Sequence, residues 1–487
     1  MPNPDTRDSA LREELATPLA ERVGVVVCGG GPAGIAAAIA AAQTQRHLGA
    51  EPDVRLIETQ GQLGGIWTSG LLSWILDARN KSGLMRQIMH RIEAYRIDLG
   101  GKPCRRGGQL YDVEHMKLLL EEMCEEAGVR VRLHTRVVAA YQQGGRLTHI
   151  VTESKSGREA FAANCFIDCT GDGDLAALAG CEYEIGRIDQ DSPGTPAYQP
   201  MTLMALITGV DREAIKPFYD REQYTSLEVK EALREELERA GIEPSYGHPT
   251  LFEVYPDLFA LMTNHEYGRD PLNAQAITDA TIAARREIHQ LTHALRELGG
   301  PWRNLRVVAT ASQIGIRESR RPAGLYRITL DDLIAGRRHD DAVCECTFPI
   351  DVHATSGSGD RGVEAPPVPA TLPYDIPYRA LVARDVDGLL MAGRCISGDF
   401  YAHASYRVTG NAVPMGEAAG CAAAVAAARG VSPRDLDYPN EVRPLQRALF
   451  DQPGSFPHAA HGRVHVSRAA LARIATGRGV STDVASG

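Results

Sequence analysis

Apolar residues first gather in a short β-branched run, Val25-Val-Val-Cys28, that breaks into Gly29-Gly-Gly-Pro-Ala-Gly34 and resumes as Ile35–Ala42. A buried run, a glycine turn and then small residues at helical length predict strand, turn and helix. Val54-Arg-Leu-Ile57 predicts a second strand, ended by Glu58. Helical patterns follow over 82–97 and 112–127. Leu118, Leu119, Met123 and Ala127 form the apolar face of the second, and Asp112 is its candidate N-cap. His115 stands where a capping box requires Glu or Gln, so that box is incomplete. Val129–His134 alternates at period two and predicts a strand. Residues 147–152 and 160–168 predict a hairpin that continues into a buried strand. This strand ends in Cys169-Thr-Gly-Asp-Gly-Asp174, before a helical Leu175–Ala179 that Asp174 can cap.

The pattern changes between residues 186 and 375. Residues 211–245 are charged and helical, and 274–299 repeat apolar residues at Ala283, Ile288, Leu291, Leu295 and Leu298. Strands are predicted over 305–309 and 324–330, and 360–373 reads as a Pro/Gly linker. The opening pattern then returns. Leu389–Cys395 is a short buried strand ending at Gly393, and Gly410–Gly420 opens an Ala-rich helix from about Ala412 to Ala428. Pro414 then falls in its first turn, where proline is tolerated. Residues 442–449 are helical.

The expected architecture is α/β, a Rossmann-like domain discontinuous in sequence (21–185 and 376–450) with an inserted α+β substrate domain (186–375). An arm (1–20) and a tail (451–487) flank it. In the arm, Leu11, Leu15 and Leu19 at four-residue spacing suggest a short docking helix or a frayed segment.

Composition narrows the function classes. With 487 residues, 44% of them hydrophobic, a large core is affordable. A net charge of −10 leaves no electrostatic footprint for nucleic acid. The longest apolar run is interrupted by Gly29–Gly34 and Pro32, so no membrane span is expected. The N-terminus lacks a basic segment followed by an apolar core, which makes cytoplasmic the expected location. Ten cysteines are thinly spread, without a Cys-x-x-Cys pair. Cys344-Glu-Cys346 is too closely spaced for that motif and reads as two buried thiols. No metal site is expected, the partner is a small-molecule substrate, and a homo-oligomer stays open.

Gly29-x-Gly31-x-x-Gly34, placed between a strand and a helix, carries a specific mechanism. Gly29 permits the tight turn, Gly31 lets backbone approach a pyrophosphate, and Gly34 lets the helix pack on the strand. Glu58, at the end of the second strand, is placed to bind ribose hydroxyls. The glycine-rich Thr59–Gly70 then suggests a loop that passes close to a bound group.

On Gly29–Gly34, Gly64-Gly65, Thr170–Asp174, Ile314–Arg321 and Ala392–Ser397 continuing to Gly420, the chain resembles FAD-dependent oxidoreductases of the two-dinucleotide-binding-domain superfamily. This group is built like glutathione reductase and fumarate reductase flavoproteins, and the resemblance spans about 22–450. It implies FAD as cofactor. The first turn would hold it through Gly29, Gly31, Pro32, Ala33 and Gly34, and the second strand end through Glu58 and Thr59. Gly64, Gly65 and Trp67 would line the flavin end, and Val137 and Thr170-Gly171-Asp172 would be further cofactor contacts. The C-terminal segment would add Gly393, Arg394, Asp399 and Gly410-Asn411-Ala412-Val413. No second Gly-x-Gly-x-x-Gly is seen, so a separate nicotinamide domain is not expected.

Phe400–Val408 is then expected to pass the flavin face. His403 is a candidate base for an alcohol or amine proton, and Arg407 a candidate ligand for a carboxylate or oxyanion. Both equally read as partners of flavin carbonyls or buried backbone. Tyr401, Tyr406 and Arg317 are candidate substrate contacts. Arg317, Arg320 and Arg321, with Glu318 among them, also read as an ion-pair network joining domains.

The leading expectation is hydride transfer from a C–OH, C–N or activated C–C bond to flavin N5, with reoxidation by oxygen or another acceptor. A flavin monooxygenase or a fumarate-reductase-type reductase is the alternative, followed by a non-catalytic or tRNA-modifying flavoprotein.

Overall fold

A fully buried β-branched strand needs partners on both edges and cover on both faces. In the computed structural model, Val25–Cys28 lies at the C-terminal end of such a strand, β1 (Leu19–Cys28). The structure describes residues 13–98, 110–188, 196–219, 226–357, 361–368 and 370–451. From β1 the chain crosses through α1 (Pro32–His47) to the parallel strand β2 (Val54–Ile57). Helices α2 (Gly83–Asp98) and α3 (Val113–Ala127) follow, then β3 (Arg130–Arg132), which pairs in parallel with β2. Asp112 caps α3 as expected, accepting from the Glu114 amide at 2.9 Å.

The chain then forms the antiparallel strands β4 (Arg136–Gln143), β5 (Arg146–Ser154) and β6 (Gly157–Asp168). The long β6 also runs parallel to β1, giving the order β3-β2-β1-β6-β5-β4. A short α4 (Asp174–Leu178) comes next.

A second, antiparallel sheet is built from β7 (Ala205–Thr208), β8 (Thr250–Tyr255), β9 (Leu258–Met262) and β10 (Arg306–Thr310), in the order β8-β9-β7-β10. Helices α5 (Leu227–Arg239) and α6 (Ala274–Leu298) pack on it. After α7 (Leu330–Ala335), β11 (Ala342–Cys346) and β12 (Tyr374–Pro377) form a two-stranded ladder. Strand β13 (Leu389–Met391) then rejoins the first sheet, parallel to the end of β6. The chain ends in α8 (Phe400–Tyr406), α9 (Thr409–Arg429) and α10 (Arg443–Phe450). No described helix is long and apolar enough to cross a membrane.

Several expectations are corrected. The arm is not helical where it is described: 13–18 carries no regular structure and Leu19 already belongs to β1. Residues 1–12 and 452–487 lie outside the described residues. The strand expected over 324–330 is absent; Gly324 and Ile328 make isolated bridges and Leu330 starts α7. Gly173 in the left-handed region precedes α4, and Asp174 instead pairs with Arg320 at 2.8 Å. Helix α9 begins at Thr409, so Pro414 lies inside it rather than in its first turn.

Helices α1 and α9 meet through small residues. A Cβ at Gly416 would stand 2.0 Å from the Ala33 carbonyl oxygen, and one at Gly420 2.1 Å from that of Ala37. This contact ties the N-terminal turn of α1 to the C-terminal segment. Beside it, buried Glu417 accepts from the Leu84 amide and from Gln446, each at 2.7 Å. Burial raises its pKa to about 7, against the pull of these two donors. A carboxyl raised above its unfolded value stabilises the fold fully at low pH and loses that contribution as pH climbs. Between pH 4.5 and 7 the loss amounts to about 3 kcal/mol. Urea unfolding of wild type and Glu417→Gln across this range checks it. The difference in stability between the two proteins should move against wild type with rising pH and level off above 7.

Candidate active site

Strands β2, β1, β6 and β13 are parallel neighbours, so the loops after them converge at one sheet edge, where open α/β sheets bind ligands. They carry Gly29–Gly34, Glu58, Thr170–Asp172 and Gly393-Arg394. The first turn is crowded on one side and open on the other. Gly29 has φ +100° and a Cβ there would meet the Cys169 carbonyl oxygen at 2.3 Å; one at Gly34 would meet that of Gly29 at 1.7 Å. A Cβ at Gly31 would meet nothing within 4 Å. An open groove therefore passes Gly31 at the start of α1. There Pro32 has no amide hydrogen, and the amides of Ala33 and Gly34 lack intrahelical acceptors.

The glycine loop forms the opposite wall. The Gly64 amide donates to the Gly30 carbonyl at 2.8 Å, and a Cβ at Gly65 would lie 3.1 Å from Gly31 Cα. Glu58 accepts from the amides of Gly30 at 2.5 Å and Gln60 at 2.7 Å. Burial raises its carboxyl pKa, and these amides oppose the shift. Thr59 is exposed beside it, and the Thr135 amide donates to the Glu58 carbonyl, bringing half-buried Val137 to this end. Backbone amides at a helix start, an open glycine and an acid at the next strand end suit an adenine dinucleotide. The residues present fit FAD.

Other expected cofactor contacts are engaged with protein. Asp172 pairs with Arg394 at 2.7 Å, and Arg394 also donates to the Ile316 carbonyl. Thr170 binds buried Asp168 through its amide at 3.0 Å and its hydroxyl at 2.7 Å, which fixes the turn through Gly171. Burial raises the Asp168 carboxyl to about 6. Gly393 is buried against Ala33. Asp399 gives its oxygens to the amides of Ala402 at 2.8 Å and Leu330 at 2.7 Å, so its carboxylate caps α8 rather than a cofactor. The Trp67 side chain is fully buried edge-on to Tyr111 and does not line the groove. The start of α9 is covered: the Gly410 amide donates to the Leu76 carbonyl at 3.0 Å, and the Asn411 side chain donates to Cys346 Sγ at 3.2 Å. Val413 is buried and Ala412 nearly so. Cys344 and Cys346 are free thiols, both raised by burial.

The chemistry candidates separate. His403 has no exposed surface, and burial followed by the charges of Arg321 and Arg407 holds its imidazole well below the ordinary range. The Arg394 backbone opposes that weakly, yet neither ring nitrogen closes a hydrogen bond of ordinary geometry. Tyr406 is likewise fully buried and donates to the Ile396 carbonyl at 3.0 Å. Neither side chain can touch a substrate. Tyr401 stays half-buried. Arg407 reaches away from the helix to Asp351, donating to its carboxylate at 3.0 Å and its carbonyl at 2.8 Å.

Asp351 opens a cluster the sequence reading missed. His353 Nε2 lies 3.3 Å from Asp351 Oδ2, and His353 Nδ1 lies 3.1 Å from His265 Nε2. His265 Nδ1 meets the Tyr267 hydroxyl at 3.2 Å, and the Tyr246 ring packs 4.1 Å from the His265 ring. Arg317, half-buried, donates to the Pro200 carbonyl and to Thr202. The His353 and Asp351 side chains keep 8% and 23% exposure although both sit deep in the molecule, so they border an internal recess.

The segment before Arg317 joins this recess to the cofactor groove. A Cβ at Gly315 would lie 3.2 Å from Ile66 in the glycine loop, and the Ile316 carbonyl receives Arg394. Burial first, then Arg317, lowers His353 to about 4. Burial alone would raise Asp351, but His353, Arg407 and Arg317 hold it well below the usual carboxylate range. No group of three or more metal-ligating side chains suited to an ion occurs among the described residues.

Solved structures show distant likenesses to the chain. A geranylgeranyl bacteriochlorophyll reductase-like protein from Thermoplasma acidophilum is 13% identical, with 88% of this chain and 84% of that one covered and a TM-score of 0.44. The flavin-dependent brominase Bmp2 is 13% identical over 88% and 83% of the two chains, with a TM-score of 0.45. The p-nitrophenol 4-monooxygenase PnpA from Pseudomonas putida DLL-E4 is 12% identical over 88% of each, at 0.42. No curated protein matches the chain in sequence. Residues 24–449 match the family described as FAD dependent oxidoreductase, and the chain belongs to that family: it is an oxidoreductase whose cofactor is FAD.

Proposed function

We propose that this enzyme oxidises a small molecule at a C–OH, C–N or activated C–C bond, with His353 taking the proton and flavin N5 the hydride. Bound FAD supplies the two-electron acceptor. The observation that carries the reading is the state of the His353 ring. Tyr267 lies 2.9 Å from the Ser245 carbonyl and 3.1 Å from that of Arg361, and its hydroxyl donates there because carbonyls only accept. It therefore accepts from His265 Nδ1–H, which leaves His265 Nε2 bare. His353 Nδ1–H donates to that nitrogen, and His353 Nε2 faces the Asp351 carboxylate at 3.3 Å, the position where an added proton is held.

This arrangement suits a general base. The imidazole is neutral at pH 7, since burial and Arg317 hold it near 4. Once it gains a proton, the imidazolium stands 3.3 Å from the Asp351 carboxylate. Arg407 fixes that carboxylate in place. The bond cleaved is the substrate C–H, whose electron pair leaves as hydride; the O–H or N–H proton (or the neighbouring C–H proton in a C–C oxidation) goes to Nε2, and a C=O, C=N or C=C bond forms.

Anaerobic mixing of the FAD-loaded enzyme with alcohols, amines and saturated carbonyl compounds tests this. Bleaching of the visible flavin absorbance by one such donor, without NAD(P)H, is expected. Bleaching by NAD(P)H alone, with oxygen consumed when substrate is added, would replace this reading with a monooxygenase.

A further inference from the structure

Arg317 differs from every arginine around it. Arg320 pairs with Asp174 at 2.8 Å, Arg321 with Glu318 at 2.5 Å, Arg394 with Asp172 at 2.7 Å and Arg407 with Asp351 at 3.0 Å. Arg317 has no carboxylate partner among the described residues. Its Nη1 alone is engaged, donating to the Pro200 carbonyl at 2.7 Å and the Thr202 hydroxyl at 2.8 Å. Its Nε and Nη2 carry no partner among the described residues. Two acceptors on one nitrogen fix the guanidinium plane and leave Nε and Nη2 unpaired among the described residues.

Charge in the recess is out of balance. Arg317, Arg407 and Lys230 stand against Asp351 and Glu318, the latter already paired with Arg321, and burial keeps His353 and His265 neutral. Burial first, then Arg407, pulls the Arg317 guanidinium down to about 10, and the Asp351 carboxylate, already engaged by Arg407, draws it back only in part. A deep charge left unpaired is costly, and an arriving anion removes that cost. The open Nε/Nη2 edge matches a planar carboxylate in a two-bond fork better than it matches a neutral group.

We infer that the substrate carries a carboxylate, held by Arg317 Nε and Nη2 beside His353, in addition to the bond that is oxidised. The inference rests on the oxidation proposed above for the identity of the bound molecule as substrate. The anion also acts on the base. With Arg317 neutralised, one of the charges that opposes protonation of His353 is cancelled as the substrate docks.

Two measurements on the FAD-loaded enzyme test it. Benzoate and acetate, which cannot be oxidised here, are titrated while the visible flavin spectrum is followed; benzamide and methyl acetate serve as neutral counterparts. The acids should bind and the neutral compounds should not. Arg317→Gln should weaken benzoate roughly 10- to 100-fold, as loss of charge-assisted hydrogen bonds implies, and Arg317→Lys should restore part of it.

In turnover, a donor acid should outperform its methyl ester mainly through KM, a comparison made in wild type that needs no folded variant. Equal use of acid and ester, with benzoate no tighter than benzamide, overturns the carboxylate while leaving the oxidation standing. Benzoate binding that depends on Arg317, together with no bleaching by any donor, supports the anion site and overturns the oxidation instead.

Discussion

His353→Gln should slow anaerobic flavin reduction by about 10²- to 10⁴-fold, the usual contribution of a positioned general base. The variant should still bind FAD, because the ring belongs to the recess and not to the glycine groove. The remaining rate should lose its acid limb. In wild type, the neutral form of His353 prevails above about pH 4, so reduction of a substrate-free enzyme mixed with donor should be flat through neutrality and fall below that value. Rapid mixing across pH 3.5 to 8 reads both effects. Equal rates in variant and wild type would remove His353 from the chemistry.

The same burial carries a cost in stability. A histidine depressed from 6.5 to about 4 is protonated first in the unfolded chain, so the fold loses stability as pH falls through this window. His403→Gln makes the matching control. That ring is enclosed, so the substitution should alter the denaturation midpoint and leave the acid limb in place.

The two histidines show what a single sequence discloses. Gly29–Gly34 was legible because its constraints are local: each glycine answers to backbone a few residues away or one strand over, and strand, turn and helix are contiguous. The recess is assembled otherwise. Tyr246, His265, Arg317, Asp351, His353 and Arg407 come from separate stretches of chain, and no periodicity or spacing links them. Only Arg317 and Arg407 were visible as candidates, through the motifs around them.

His403 is a candidate in the sequence because Phe400–Val408 is expected to pass the flavin face, and a base or a structural partner fits that position equally. Arg407 lies at the C-terminal end of α8 with a side chain long enough to reach Asp351, while the shorter imidazole stays inside. Asp399 carried a readable signal of its own. An acid just before a helical stretch is more simply an N-cap, and its bond to the Ala402 amide bears that out.

Gly34→Ala and Gly31→Ala should both cost the enzyme its FAD, for different reasons. At Gly34 the added methyl would stand 1.7 Å from the Gly29 carbonyl oxygen, which is backbone in a turn that cannot retreat without displacing Cys169. The strand–helix packing must open, so Gly34→Ala should lower both FAD retention and the stability of the apoprotein, the latter by about 2–4 kcal/mol as severe backbone clashes do. At Gly31 the methyl meets nothing within 4 Å in the free protein. The apoprotein should keep its denaturation midpoint to within about 0.5 kcal/mol, as substitutions that touch nothing do. Only the approach of a pyrophosphate is blocked there, and FAD affinity alone should fall. Denaturation of the two apoproteins, set beside FAD titration by quenching of flavin fluorescence, separates a groove wall from a packing contact. A Gly31→Ala protein that binds FAD as tightly as wild type would move the pyrophosphate away from the start of α1, and the cofactor groove described above with it.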